Sequence, residues 1–224
     1  VKTTTGENMT TSQKNQLEKD LKPYKVASIT PVVVDPITIF IILNTTFQYD
    51  SNATTDSKET LESEVSTTLS NFNDTDLKSF NSVFRYSKLI GLIDDSDTSI
   101  LSNVTTVTMA QFITPVTTAP TGYTIDFSNA INHPHDGHIP VLASTGFSIS
   151  GEQEEFFFED DGSGKLTIYY LLAGVKTFYS QTAGTVDYDD GVITIDPIHI
   201  SAISDVDGAT STKLRVTAIP ASND

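Results

Sequence analysis

Short hydrophobic runs separated by turn signals fill the second half of the chain, most densely between residues 165 and 195. Two Ala-Gly pairs, at 173–174 and 183–184, and an Asp-Asp-Gly turn at 189–191 divide this stretch. Asp-Gly between β-branched and aromatic residues is a strong hairpin signal. The pattern predicts an antiparallel meander. Because Tyr and Phe occur on both faces of its strands, we expect more than solvent to cover this sheet.

The rest of the second half has no helical periodicity. Short runs rich in β-branched and aromatic residues recur between Gly and Asp turns. They predict further strands at 123–127, 146–149, 155–159, 198–201 and 213–219. Strands at this spacing are typical of a β-sandwich or an open barrel.

The first half contains one long stretch of period-two alternation, over 37–49. It predicts a strand with a single buried face and with Phe40 and Ile42 as apolar exceptions on the other face. An extended run over 26–34, which we predict to be a further strand, precedes it and is broken by Asp35-Pro36. The residues of the predicted buried face are Ile37, Ile39, Ile41, Leu43, Phe47 and Tyr49.

Helical spacing appears three times before residue 94. A short helix capped by Thr11 or Ser12 should end at Leu21, because Pro23 follows. A second helix, capped by Asp56 or Ser57, carries an apolar stripe of Leu61, Val65, Leu69 and Phe72. A third is predicted over roughly 77–93, and a Val- and Thr-rich strand over 104–112. The core candidates of the third helix are Phe80, Phe84, Leu89, Ile90 and Ile93.

Together these elements predict an α+β fold in two domains. Residues 1–23 form a tail and short helix, and residues 24–114 an α+β domain with two helices on one face of a sheet. A Pro- and Thr-rich linker over 115–122 leads to an all-β antiparallel domain, a sandwich or barrel-like fold, over 123–224.

Composition narrows the function classes. The 224 residues carry 29 acids and 13 bases, a formal charge of -16, which argues against nucleic acid or an anionic membrane as the main partner. Without cysteine, disulfides and thiolate metal sites are excluded. No apolar run is long enough to span a bilayer. Because the chain starts with a polar Thr-rich stretch and no Met, we expect it to be a fragment or a processed product.

Five strings, that is, short segments of the sequence, taken in order resemble the baseplate J-like family of contractile-tailed phages. Within that family they resemble the wedge proteins of T-even-like phages. No single string is diagnostic, but their order and spacing together carry the resemblance. They are LKPYKVASITPVVVDP (21–36), GLIDDSDTSILSNVTTV (91–107), VLASTGF (141–147), GTVDYDDGVITI (184–195) and RVTAIPAS (215–222).

The resemblance implies a structural protein of the virion tail baseplate, assembled in the host cytoplasm. It implies the C-terminal part of a longer subunit that forms homo-oligomers, as a dimer or a ring, and contacts other wedge subunits. The family offers no catalytic motif and no cofactor, and no signature fixes its interface residues. We therefore expect no enzyme activity and no cofactor. The alternative is an adhesin-like or carbohydrate-binding β-module.

Two polar clusters are candidate ion sites. His133, His135 and His138 lie within six residues and are weak candidates for a transition-metal site. Against this, Pro134 and Gly137 favour a polar loop in which the rings do not converge. Calcium at Asp160-Asp161 or Asp205–Asp207 is disfavoured, since each offers too few oxygen ligands. Within the tract 152–161, Phe156–Phe158 cannot all face one side of a strand, so the strand is covered on both faces or one ring anchors a partner.

Overall fold

The computed structural model describes residues 9–26, 29–34, 36–79, 82–133 and 139–222. Among those residues it contains a large antiparallel sheet and three α-helices, which is compatible with the predicted α+β class. The helices are α1 Thr11–Leu21, α2 Lys58–Phe72 and α3 Tyr86–Asp94. A 3-10 turn, Lys22–Tyr24, follows α1, and a π turn, Asn73–Leu77, follows α2.

Eleven strands form one sheet. They are β1 Phe40–Tyr49, β2 Ile100–Ile113, β3 Thr121–Asp126, β4 Leu142–Ser144, β5 Phe147–Ile149, β6 Phe156–Asp160, β7 Lys165–Leu172, β8 Val175–Asp187, β9 Val192–Ile198, β10 Ile200–Ile203 and β11 Leu214–Ala218. The order is β1-β2-β11-β4-β6-β7-β8-β9-β3, and β5 pairs with β6 and β10 off this path. The strands β7 to β9 form the meander predicted over 165–195.

The chain divides into two compact units, and the division falls inside β1 and β2. Among the described residues, the first unit holds those up to Thr38 and Phe47–Asn103. The second holds Ile39–Thr46 and those from Val104 onward. The predicted two-domain layout, with a linker at 115–122, stays a prediction, although Thr121 and Gly122 lie in β3.

The first unit is held together by the helices α2 and α3. The predicted stripe on α2 buries Leu61, Val65 and Phe72, and α3 buries Leu89 and Ile93. Ser57 caps α2 through the Thr60 amide, as serine does at helix starts. The Asn103 amide donates to the Ile90 carbonyl at 3.2 Å and to Asp94 Oδ1 at 2.7 Å, which ties the start of β2 to α3.

The second unit has one hydrophobic core. Its largest fully buried side chains include Phe127, Phe147, Phe156 and Phe158. Met109 of β2 and Ile125 of β3 belong to the same core although these strands are far apart in the strand order. Phe147 stacks on Phe158 with ring centroids 4.6 Å apart. Aromatic burial on this scale makes the core the main source of the unit's stability.

The predicted strand over 26–34 was wrong for the residues described there. Positions 29–34 have no regular structure, and Ile29, Val32 and Val34 are exposed. Pro31 lacks an amide donor, and the Val33 amide donates to the Glu18 carboxylate at 2.9 Å instead of to a strand. β-branched residues favour a strand only where another strand pairs with them.

Three further elements, α3, β8 and β4, differ from the predictions. The third helix begins only at Tyr86, since the Asn-Asp-Thr-Asp sequence before it forms the π turn and Ser82 Oγ bonds the Leu77 carbonyl at 2.7 Å. Phe80 lies outside the described residues. Strand β8 continues through Ala183-Gly184 without a break, and β4 was not predicted at all.

Candidate interaction surface

The tip of the β7–β8 hairpin projects hydrophobic side chains into solvent. Leu172 pairs with Val175 across a two-residue turn in which Ala173 and Gly174 have φ of 51° and 81°. Both angles are positive, as a type I′ turn requires. Leu171, Leu172 and Val175 are 55%, 58% and 66% exposed. The local sequence is thus sufficient to form the hairpin, but the apolar side chains at its tip remain exposed to solvent.

The outer face of the same strands carries a cluster of one acid, one base and two rings. The Lys176 ammonium bonds Glu159 Oε2 at 2.6 Å and lies 4.6 Å from the centre of the Tyr169 ring. Tyr169 stacks on Phe157 at 5.4 Å. Burial, followed by the negative charge of Glu159, raises the pKa of Tyr169. Phe157 is half-buried on this face, whereas Phe156 and Phe158 are buried in the core.

A pocket of about 310 Å³ opens beside Glu159. It lies where β8 bulges, since Leu166 pairs with Gly184 but Ile168 pairs with Ser180. The Thr167 hydroxyl donates to the Glu159 carbonyl at 3.1 Å, and both residues are buried. The pocket is lined by Glu159, Asp160, Asp161, Lys165, Thr167, Phe178, Gln181 and Thr182.

A second apolar surface lies on β1 and β2. Phe40 and Ile42, the two exceptions in the predicted alternation, are 48% and 37% exposed. Phe40 packs edge-on against Phe112 with centroids 5.3 Å apart. Within the described residues, β1 ends the strand order and therefore pairs with β2 alone. An open strand edge beside exposed rings is a common template for pairing with another chain.

The histidine candidates are not brought together by anything the structure describes. The His133 ring is exposed and stacks on Tyr188 with centroids 4.6 Å apart. His135 and His138 lie outside the described residues, so their part in a metal site stays a prediction. In the described ranges, no group of three or more His, Cys, Asp or Glu side chains is arranged to hold a metal ion.

The acids considered for calcium have structural partners. Asp160 is buried, and its Oδ1 accepts from the amides of Val141 and Leu142 at 2.8 and 2.9 Å. Its Oδ2 accepts from the Tyr188 hydroxyl at 2.8 Å. Burial, together with this hydrogen bond to a carboxylate, raises the pKa of Tyr188. No local sequence pattern predicts this network, because the two amides that Asp160 binds lie 19 and 18 residues before it.

The remaining candidate acids form turns and an ion pair. Asp161 Oδ1 accepts from the amides of Ser163 and Lys165 at 2.8 and 2.9 Å. Asp207 forms a two-point pair with Arg215, at 2.5 and 3.0 Å. That hydrogen-bonded pair lowers the pKa of Asp207. Turn formation and charge pairing account for these carboxylates.

Comparison with known proteins finds matches to phage baseplate proteins. Residues 38–111 match the description "Baseplate structural protein gp6, C-terminal domain III", and residues 1–34 match "C-terminal domain I" of the same protein. The chain is also 31% identical over 103 residues to "Baseplate wedge protein gp6" of Enterobacteria phage T4. Together these matches support a C-terminal gp6-like fragment.

These matches confirm the resemblance inferred from the strings. They support a viral structural protein of a contractile-tail baseplate. The similarity covers 46% of this chain and 16% of the T4 protein, so the chain spans well under two thirds of that relative. The adhesin-like alternative is not favoured by these gp6-like matches. No helix among the described residues has the length and apolar character needed to cross a membrane.

Proposed function

We propose that this gp6-like chain is a wedge subunit that self-associates, as a dimer or a ring, and so contributes to the inner ring joining wedges around the tail. Other wedge subunits contact its remaining surfaces. The role is mechanical, because symmetric contacts between copies set the curvature of a ring. Neither nucleic acid nor a membrane is a partner, and the chain is not an enzyme. The two-domain layout, 24–114 and 123–224, belongs to the same proposal.

The observation that carries self-association is the uncovered surface of β1 and β2. Phe40, Ile42 and Phe112 together expose apolar side chains beside the open edge of β1. A second copy that paired along β1 would satisfy its free amides and cover the rings in one step. A stable contact of this kind buries about 1,500 Å² in total.

Light scattering coupled to size-exclusion chromatography tests the proposal. We expect the chain to exceed the monomer mass at high concentration. The double variant Phe40→Ser, Ile42→Ser should be a folded monomer, since only solvent-exposed side chains change. Val83→Ser, at a residue that is 70% exposed, is the matched control and should leave the mass unchanged.

Two outcomes would count against this proposal. A wild-type chain that stays monomeric at every concentration would remove self-association. An oligomer that is equally stable in the double variant would place the contact elsewhere. Circular dichroism of each variant separates loss of association from loss of the fold.

A further inference from the structure

We infer that copies of this chain associate through an uncharged face of β1 and β2, and that ionic strength controls the association, so that added salt strengthens it. The inference rests on the proposed self-association and adds its regulation. The face is called the neutral face below. It consists of Phe40, Ile42 and Asn44 of β1 and of Val104, Thr106 and Phe112 of β2.

Strands β1 and β2 differ in charge from the other long strands of the sheet. Asp, Glu, Lys and Arg make up 19% of the chain, yet the 10 residues of β1 and the 14 of β2 include none of them and no histidine. Each of the other strands with 5 or more residues carries at least one charged side chain. In an acidic chain, two neighbouring strands without charge indicate a surface that is kept free of charge for a protein contact.

Side-chain hydrogen bonds assign the neutral face to the outside of these strands. The Thr105 and Thr45 hydroxyls bond each other at 3.1 Å on the inner side, where Thr105 is buried. Because side chains alternate along a strand, the neighbouring residues Thr106 and Asn44 point outward, and both are exposed. Val104, on the same side as Thr106, is 71% exposed. The whole neutral face lies within the second unit.

The neutral face brings no charge to a contact, but the rest of the chain does. Each copy carries a formal charge of -16, so two copies repel each other at long range in dilute salt. Screening shortens the range of this repulsion from about 30 Å at about 0.01 M salt to about 8 Å at about 0.15 M. Because screening acts on charges and leaves apolar contacts in place, association through the neutral face should strengthen as salt rises.

The charge pattern favours a second copy over a basic protein as the occupant of the neutral face. A basic partner would be attracted by acids at the contact itself, and that attraction would weaken with salt. None of the side chains of the neutral face is an acid. A contact between two acidic copies, by contrast, requires that acids stay outside it, because a buried carboxylate without a partner is costly.

Sedimentation equilibrium of the wild-type chain at neutral pH tests the inference. We expect the dissociation constant for self-association to fall about tenfold or more between about 0.01 M and about 0.15 M sodium chloride. The double variant Glu152→Gln, Glu154→Gln removes two exposed acids outside the neutral face. It should associate more tightly than the wild type at low salt and equally tightly at high salt.

One substitution that conserves side-chain size places a charge on the neutral face. Asn44→Asp should weaken association about tenfold or more at either salt concentration, since it brings a carboxylate of each copy into the contact. Asn132→Asp makes the same change at an exposed position outside the face, and its dissociation constant should match the wild type within about twofold. The wild-type salt series needs no variant and stands if circular dichroism shows that Asn44→Asp fails to fold.

Three results would overturn the inference while leaving self-association in place. They are association that weakens as salt rises, association that does not respond to salt, and a folded Asn44→Asp that associates as Asn132→Asp does. No association at any salt concentration would instead remove the proposed self-association, and this inference with it. The same experiment therefore distinguishes the two failures.

Discussion

Two hairpins share strand β8, yet one is built into the core and the other is left uncovered. The β8–β9 hairpin buries Val186, Ile193 and Ile195 and turns through polar residues. Asp187 Oδ1 accepts from the amides of Asp189 and Asp190 at 3.1 and 3.0 Å within that turn. The β7–β8 hairpin has a bulge between Leu166 and Tyr169 and is in regular register from there to its tip, which is apolar and exposed.

The contrast separates two physical requirements. Turn chemistry and alternation are enough to form either hairpin, since both are local. Covering apolar side chains requires other elements to pack on them, and among the described residues nothing buries Leu171, Leu172 and Val175 at the tip of the β7–β8 hairpin. The uncovered tip is the one expected to meet another protein.

The largest expected change in unfolding free energy comes from comparing a buried isoleucine with an exposed leucine. Ile193→Ala should lower the free energy of unfolding by about 4 kcal/mol, because the side chain is fully buried and leaves a cavity. Leu172→Ala at the exposed tip should lower it by less than about 1 kcal/mol. Urea unfolding measures both, and similar losses would mean that the tip is also part of the core.

Asp160 joins the β8–β9 turn region to β4 and should matter nearly as much. Asp160→Ala leaves the amides of Val141 and Leu142 without an acceptor and should cost about 3 kcal/mol. Asp190→Ala, at an exposed position, is the control and should be neutral within about 0.5 kcal/mol. A neutral Asp160→Ala, measured by the same urea titration, would contradict the network.

Gly184 in β8 and Gly174 in the β7–β8 turn differ in the space available for a side chain. A Cβ on Gly184, where φ is 154°, would lie 1.9 Å from the Thr194 carbonyl oxygen, so Gly184→Ala should cost about 2 kcal/mol or more. Gly174 has φ of 81° but nothing within 4 Å, so Gly174→Ala should cost about 1 kcal/mol. Thermal unfolding gives the ranking, and the reverse order would refute the close approach at Gly184.

The smallest effect is a predicted gain at the exposed tip. Ala173 has φ of 51°, a region that Asn occupies more readily than Ala. Ala173→Asn should therefore stabilise the chain by about 0.5 kcal/mol. A loss of stability, seen as a lower melting temperature, would show that the turn is not of the assigned type.

What the sequence predicted correctly was mostly local. The alternation over 37–49 correctly placed Ile41, Leu43 and Phe47 on the half-buried face of β1, and the α2 stripe was confirmed. The predictions failed where residues distant in the sequence determine the local structure. The described residues of the run 26–34 do not form a strand, and Gly184 marks a close approach to β9 instead of a turn.

The candidate surface was harder to predict than the fold. Phe40 and Ile42 were recognisable in the sequence, because they are apolar residues on the face of the strand predicted to be polar. The pocket was not, because it needs the bulge that brings Gln181 and Thr182 beside Glu159. Nor could the pattern of acids separate the buried Asp160 from the turn-forming Asp161, since burial depends on β4.

Hydrogen exchange along β1 tests the central claim, that apolar surface left uncovered within this chain meets other protein chains. At low concentration the outward amides of β1 should exchange quickly, because a strand edge offers them no acceptor. At high concentration we expect their protection to rise, while the β8–β9 turn exchanges as before. Exchange of β1 that is slow at low concentration, or that does not change with concentration, would contradict the account.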